Sequence, residues 1–110
     1  MMRAYELMVI IDGDDDDPKA QSRIKYVTDE ITKVGGSIHG KPDWWGKRPF
    51  AYQINKKDAG YSLVVECLAN GGALDELERH LRLADEIVRH KLIRLPDAEA
   101  ERRGMADTAA

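Results

Sequence analysis

A near-continuous apolar run close to the start of the chain constrains the fold more than any other feature. Residues 5–11 read Tyr-Glu-Leu-Met-Val-Ile-Ile, and an apolar run of this length is typical of a strand inside a sheet. Because side chains alternate along a strand, the odd-numbered residues from Tyr5 to Ile11 point to one face and the even-numbered residues from Glu6 to Ile10 to the other. The run therefore predicts a central strand.

Two amphipathic helices and three more strands follow this run. Asp17-Pro18 is a favourable helix start, because an acidic N-cap precedes a proline in the first turn, and Gly35-Gly36 predicts the end of that helix. A second helix carries Leu74, Leu77 and Leu81 on one side. The other strands are predicted at 37–41 continuing into 44–55, at 61–68 and at 87–95, with a polar turn at 55–60.

The order of the elements, β-α-β-β-α-β, predicts the fold class. Two helices of similar length on one face of a four-stranded antiparallel sheet form the ferredoxin-like arrangement, which is an α+β fold. A chain of 110 residues holds one core, so we predict a single domain over residues 1–96. The aperiodic, charged stretch 97–110 is predicted to be a flexible tail.

The segment Trp44–Asn55 combines aromatic and basic residues. It holds both tryptophans, the only phenylalanine and the pair Lys47-Arg48. Gly46 and Pro49 disturb a regular ladder, which predicts an edge strand with a bulge. Cations beside exposed rings suit an RNA backbone and its unstacked bases. The alternative, which composition alone favours, is that the rings fill the core and the cations are merely solvated.

The net charge of −3 is unevenly distributed along the chain. Five aspartates lie within residues 12–17, and four acids follow Pro96. Without these two stretches, 15 Lys and Arg residues stand against 11 Asp and Glu residues. The overall sign therefore does not exclude an RNA-facing patch.

Strand alternation assigns basic residues of the last strand to the sheet face that the helices leave open. If Val88 and Leu92 pack under the helices, Arg89 and Lys91 project from the open face. The first and last strands are neighbours in this fold, so Arg3 is expected near the far end of the same patch. Basic residues from several elements indicate an RNA or an acidic partner.

Catalysis receives little support from the sequence. His39, His80 and His90 lack short metal-ligand spacing; His80 is interpreted as a surface residue and His90 as a hydrogen-bonded residue on the core side. Cys67 alternates with apolar neighbours and is interpreted as a small buried hydrophobe. We predict that the protein is not an enzyme and has no cofactor.

The acidic loop has the start of a calcium motif but not its remainder. Asp12, Asp14 and Asp16 have the 1-3-5 spacing, but Asp17 and Arg23 stand where glycine and glutamate are required. A solvated, helix-capping acidic run is the better interpretation. No apolar run approaches the roughly 18 residues of a membrane span, and the single cysteine suits a reducing cytoplasm.

Several short motifs of the chain occur together in one known family. They are Arg3-x-Tyr5-Glu6, Gly36-x-Ile38, Trp45-Gly46-Lys47-Arg48-x-Phe50-Ala51-Tyr52-x-Ile54-Asn55-Lys56, Gly60-Tyr61, and Asp75-Glu76-Leu77-Glu78-Arg79-x-Leu81-Arg82-Leu83 running on to Ile87-Val88-Arg89. With these motifs, residues 2–95 resemble protein six of the bacterial small ribosomal subunit. The Trp-Gly-basic-basic-x-apolar-Ala-Tyr run is specific to this family.

The resemblance implies a structural protein of the cytoplasmic ribosome. Such a protein binds 16S ribosomal RNA in the central domain of the small subunit, as a heterodimer with small-subunit ribosomal protein eighteen. The positions that match the family's RNA-side residues are Arg3, Tyr5, Lys47, Arg48 and Arg89.

A partner surface is expected on the open sheet face. Its predicted residues are Met8, Ile10, Lys91, Ile93 and Leu95; ordinary monomer surface is the alternative. For the whole protein, the alternative function is a ferredoxin-like small-ligand-binding regulatory domain that homodimerises through its sheet.

The chain departs from the family pattern at several positions. Trp44 and Gln53 stand where the family commonly has a non-aromatic residue and a proline, and Lys91 stands where an apolar residue is frequent. The Asp14–Asp17 run is also more acidic than the usual loop. The first three departures change local packing or partner contacts, and none of them alters the predicted RNA-side basic positions.

Overall fold

Four strands and three helices make up the part of the chain that the computed structural model describes, residues 2–14, 16–54, 56–85 and 87–105. In chain order they are β1 (Met2–Asp12), α1 (Asp17–Lys33), β2 (Ser37–Ile54), β3 (Lys57–Asn70), α2 (Leu74–Leu83), β4 (Ile87–Arg94) and α3 (Asp97–Arg102).

The strands form one antiparallel sheet in the order β2-β3-β1-β4. β1 lies between β3 and β4, which confirms the central strand predicted from its apolar run. β2 lies at an edge, as predicted for the aromatic segment, and its pairing with β3 shifts register three times. One shift falls at Gly46, whose φ of 78° is a conformation that glycine adopts without steric cost.

The main core lies between one sheet face and the two longer helices. Leu7, Val9 and Ile11 of β1 are fully buried there. The helices contribute Val27 and Ile31 from α1 and, as predicted from their spacing, Leu74, Leu77 and Leu81 from α2. Burial of this kind is the main favourable term in folding, so these residues decide how the helices sit on the sheet.

β4 presents a different residue to the core from the one that alternation predicts. Leu92 pairs with Leu7 and packs against the core as expected. A register shift between Ile10 and Ile11 then brings Ile87 opposite Ile11, so Ile87, not Val88, is the buried residue at this end of the strand. A bulge adds one residue to a strand and thereby reverses the alternation beyond it.

The start of α1 and the turn before β3 differ by a few residues from their predicted positions. Asp16, one position before the expected Asp17, caps α1, because its carboxylate accepts a hydrogen bond of 2.9 Å from the backbone N–H of Lys19. The predicted turn at 55–60 is too long, because β3 begins at Lys57; Lys56, just before it, takes a left-handed conformation with φ 65°. Asn55 lies outside the described residues.

The prediction of a flexible tail is wrong for residues 97–105. α3 and the residues after it fold onto the sheet, where Ala100 and Met105 are buried against Ala4 and Leu95. Two apolar side chains in a charged segment give no periodic signal, so this packing depends on contacts with residues far away in the sequence. Residues 106–110 lie outside the described residues.

Candidate functional site

The sheet face opposite α1 and α2, called here the open face, divides into two ends. The free end consists of Met8, Ile10, Arg89, Lys91 and Ile93. The covered end consists of Ala4, Glu6, Glu66, Leu68 and Leu95, and it lies beneath the C-terminal segment, residues 97–105.

The free end combines an apolar floor with two cations. Lys91 pairs with Met8 and Arg89 pairs with Ile10 across β4 and β1. Directly opposite residues of an antiparallel pair project to the same face, so Arg89 and Lys91 lie on the open face, as predicted. A shallow cavity of about 220 Å³ is lined by these four residues and His90.

The basic pair of β2 lies across the sheet from Arg89. Lys47 and Arg48 are both exposed; Lys47 pairs with Tyr61 on the helix side and Arg48 with Gly60 on the open side. Three strand spacings, ~14 Å, separate β2 from β4. Arg48 therefore shares the open face with Arg89, whereas Lys47 projects to the other face.

Arg3 and Tyr5 do not converge with these cations. They pair with Ala69 and Cys67, which are buried on the helix side, and Tyr5 packs against the core there. Arg3 is also at the opposite end of β1 from Ile10. The expectation that Arg3 extends the Arg89 patch is therefore wrong.

Arg94 is a basic residue that the sequence prediction omitted. It pairs with Tyr5 and is exposed, so Arg94, Tyr5 and Arg3 form a second group on the helix side. Alternation from the inward Leu92 would have found it, since residues two apart on a strand share a face.

Leu95 was predicted to belong to the partner surface, but it lies buried in the covered end. Leu95 is 6% exposed, and its backbone N–H donates a 2.9 Å hydrogen bond to the carbonyl of Ala4. It packs with Ala100 and Met105 of the C-terminal segment. Ile93, on the same strand and face, remains 42% exposed. Leu95 was predicted to be surface because the C-terminal segment was not expected to fold.

Arg103 holds the C-terminal segment to the sheet. Its Nη1 donates to Glu6 at 2.8 Å and to Glu66 at 3.1 Å, and its Nε donates to Glu99 at 2.7 Å. These carboxylates raise the pKa of Arg103, with Glu6 the largest cause. Hydrogen bonds from Arg102 and then Arg103 lower the pKa of Glu99 to about 2. The carbonyl of Arg103 also accepts a 3.0 Å hydrogen bond from Nε2 of His39.

In the aromatic segment, one ring packs in the core and others are exposed, so each of the two interpretations holds for part of it. Trp44 is half-buried and stacks on Tyr61, with 5.4 Å between ring centroids and 20° between ring planes. Trp45 is 44% exposed, and its indole N–H donates to Asp43 at 2.8 Å. Tyr52 is 73% exposed. Trp44 therefore belongs to the core, whereas Trp45 and Tyr52 are available for contacts.

Much of the acidic loop is used within the protein. Nζ of Lys57 donates to Asp14 at 2.9 Å and lies 3.3 Å from Asp12, and the hydrogen bond lowers the pKa of Asp14. Asp16 caps α1. Asp15 and the side chain of Asp17 lie outside the described residues. Within the described part of the chain, no group of three His, Cys, Asp or Glu residues could hold a metal ion.

The titratable groups near the core have structural contacts. Nδ1 of His80 lies 2.7 Å from the buried carboxylate of Glu30, so His80 joins α2 to α1 and is not the plain surface residue that was predicted. Nε2 of His90 contacts Glu78 at 3.2 Å, as expected of a satisfied histidine. Cys67 is buried, and desolvation raises its pKa to about 11, so its thiol stays protonated at neutral pH.

No helix in the described ranges has the length and apolar character that crossing a membrane requires.

Comparisons with known proteins point to one family. A family model described as "Ribosomal protein S6" matches residues 4–94. The small ribosomal subunit protein bS6 of Carboxydothermus hydrogenoformans is 42% identical over 94 residues, which cover 86% of this chain and 97% of that protein. Its counterpart in Acidothermus cellulolyticus is 38% identical over 97 residues, covering 88% and 99%. The crystal structure of 30S ribosomal protein S6 from Thermotoga maritima aligns with a TM-score of 0.84 at 32% identity, covering 94% of this chain and 97% of that one.

Proposed function

This chain belongs to the ribosomal protein S6 family, and we propose that it serves the small ribosomal subunit by binding 16S ribosomal RNA in the central domain together with small-subunit ribosomal protein eighteen. Family membership makes it a ribosomal protein of the small subunit with a ferredoxin-like fold, located on the cytoplasmic ribosome. The RNA contact, the partner and the contact residues are the proposal.

The register that brings Arg89 and Lys91 onto the open face beside Met8 and Ile10 is the observation that carries this proposal. Neither cation has a carboxylate partner among the described residues, whereas Lys57 and Arg103 do. Cations of this kind are available to phosphate oxygens, which fix the position and orientation of a protein on nucleic acid.

The β2 edge extends the proposed RNA surface. Arg48 lies on the open face, and its Nε also reaches the carbonyl of Trp45 at 3.5 Å. Exposed Trp45 and Tyr52 offer rings on which unpaired bases can stack. Lys47, Arg3 and Tyr5 project to the other face, so a role for them requires RNA that passes around a sheet edge.

A protein partner is part of the proposal for two reasons. The net charge is −3 and the free end supplies few cations, so few phosphates are neutralised and binding by this chain alone is expected to be weak. Met8, Ile10 and Ile93 also form an apolar strip on the open face that a second protein could cover.

Filter binding to a 16S central-domain fragment, with and without the partner, tests the RNA contact. Arg89→Ala and Arg48→Ala are each expected to weaken binding about tenfold, or ~1.4 kcal/mol. Each should also reduce the slope of log affinity against log salt by roughly 0.7 to 0.9, the share of one phosphate contact.

Arg82→Ala is the matched control, because Arg82 is exposed on α2, away from the open face. Its affinity and salt slope should equal those of the unaltered chain. If both open-face variants also behave like the unaltered chain, Arg89 and Arg48 are not RNA contacts and the proposed interface is wrong.

A further inference from the structure

Two carboxylates oppose each other on the covered end of the sheet. Glu6 of β1 and Glu66 of β3 are direct cross-strand partners on the open face. Like charges in this position destabilise a sheet, and their neighbours on the flanking strands, Ile93 of β4 and His39 of β2, place no arginine or lysine between the two carboxylates. The pair therefore forms an acidic site that is favourable only when a cation from elsewhere occupies it.

A guanidinium occupies this site in the structure. Nη1 of Arg103 lies 2.8 Å from Glu6 and 3.1 Å from Glu66, so one nitrogen bridges the two carboxylates. Charge-assisted hydrogen bonds of arginine to carboxylates are among the stronger polar contacts in proteins. The site therefore has the chemistry of an arginine receptor.

An apolar pocket lies next to the acidic pair. Ala4, Leu68 and Leu95 form it, and the side chain of Met105 fills it with 1% exposure. Gly104 separates this methionine from Arg103 and has φ 74°. The occupied site thus accepts an arginine followed, two residues later, by an apolar side chain.

The segment that fills the site is short and carries more acids than cations. α3 has six residues and no side-chain cap, and a helix of this length is unstable without tertiary contacts. Residues 97–105 carry three acids and two arginines, and only one of the arginines reaches the acidic pair. A segment with more cations and no acids would complement Glu6 and Glu66 better.

We propose that the covered end is a receptor site for an arginine-bearing segment of a basic protein, which the chain's own C-terminal segment occupies in cis until that protein arrives. The inference rests on the proposed function only in that the basic protein is taken to be its ribosomal partner. Nucleic acid is not the occupant, because phosphates and the Glu6–Glu66 pair repel each other.

Displacement of the C-terminal segment enlarges the partner surface. Leu95 becomes accessible on the same face as Ile93, Met8 and Ile10, so the acidic site and the apolar strip become continuous. An arginine anchor beside an apolar strip is a common composition for the centre of a protein interface.

A labelled synthetic peptide tests the site without RNA or partner. The probe is Ala-Lys-Ala-Lys-Arg-Arg-Gly-Met, which corresponds to residues 98–105 with both glutamates replaced by lysine. It is titrated into the full chain by fluorescence anisotropy. The control peptide has glutamine in place of the second arginine and should bind at least about tenfold more weakly.

Variants of the full chain separate cis occupancy from simple charge attraction. Arg103→Glu places a third carboxylate beside Glu6 and Glu66 and so releases the C-terminal segment. The Arg103→Glu chain should bind the probe at least about tenfold more tightly than the unaltered chain, because the site is no longer closed in most molecules. Arg102→Glu makes the same charge change at an exposed neighbour that pairs with Glu99, and it should gain much less.

Removal of the acidic pair gives the decisive comparison. Adding Glu6→Gln and Glu66→Gln to the Arg103→Glu chain should abolish the tight binding. Equal affinity of the probe for all chains, or binding that survives the loss of both glutamates, would overturn the proposal. So would direct binding of a 16S central-domain fragment to the Arg103→Glu chain that is lost with both glutamates, since that would make RNA the occupant.

A second variant that releases the C-terminal segment shows whether the result for Arg103→Glu comes from a folding defect. Met105→Ser empties the apolar pocket and leaves Arg103 in place, and it should also tighten probe binding. Circular dichroism and the thermal unfolding midpoint verify that each chain is folded. The proposed RNA function is tested by other residues, Arg48 and Arg89, so either proposal can fail while the other holds.

Discussion

The two ends of the open face lie on the same strands but differ in the charge they carry and in what covers them. At the free end, Arg89 and Lys91 flank Met8 and Ile10 and have no carboxylate partner among the described residues. At the covered end, a carboxylate pair is neutralised by Arg103 from the end of the described chain, and the apolar residues are buried.

The difference shows how one sheet face can carry two kinds of recognition. Available cations over an apolar floor suit an anionic ligand and a protein neighbour. A carboxylate pair with an adjacent apolar pocket suits a cationic segment of protein. The chain's own C-terminal segment supplies the cation for the carboxylate pair, whereas the cations of the free end are left for another molecule.

Stability should distinguish the two ends most strongly. Leu95→Ala removes a buried side chain between Ala4 and Met105 and is expected to lower the free energy of unfolding by about 2 to 4 kcal/mol. Ile93→Ala, on the same strand and face but exposed, should change it by less than about 0.5 kcal/mol. Urea denaturation of both variants measures this difference, and equal losses would show that the covered end is packed no more tightly than the free end.

Acid should loosen the covered end and leave the free end unchanged. The pKa of Glu99 is about 2 in the folded chain against 4.5 ordinarily, because it accepts hydrogen bonds from Arg102 and Arg103. A lowered carboxyl pKa stabilises the fold above pH 4.5, and this contribution is lost as the pH falls from about 4.5 through about 2.

Amide hydrogen exchange from pH 6 to pH 2.5, corrected for intrinsic rates, follows this change. Protection at residues 100–105 should decrease on the acid side before protection at Met8, Ile10 and Lys91 does. Loss of protection at both ends at one pH would mean that they open as a single cooperative unit.

The smallest effect is expected at Arg3, which shares neither the end nor the face of Arg89. Arg3→Ala should weaken binding to the 16S fragment by less than about threefold, in the range of a distant surface charge. Filter binding beside Arg89→Ala gives the comparison. A larger loss for Arg3 than for Arg89 would move the RNA surface to the group formed by Arg3, Tyr5 and Arg94.

Strong periodic patterns allowed most of the fold to be predicted from the sequence. The apolar run of β1 identified the central strand, leucine spacing identified the buried side of α2, and Gly46 with Pro49 identified an irregular edge strand. Alternation also assigned Arg89 and Lys91 to the open face. Each of these depends on the local periodicity of a single element.

Features that depend on distant contacts could not be predicted in this way. The C-terminal segment folds because Arg103 meets Glu6, 97 positions earlier in the chain, and Glu66. Leu95 was assigned to the surface for the same reason. The contact of His80 with Glu30 needs the packing of α2 on α1, and the bulge in β4 needs its pairing with β1.

Mapping RNA and partner onto the full chain by amide hydrogen exchange tests the central claim most directly. In the complex with the 16S fragment and the basic partner, protection should rise at Met8, Ile10, Arg89 and Lys91 and stay unchanged on the exposed side of α2, at Arg79 and Arg82. Protection gained on α2, with the open face unaffected, would contradict the account.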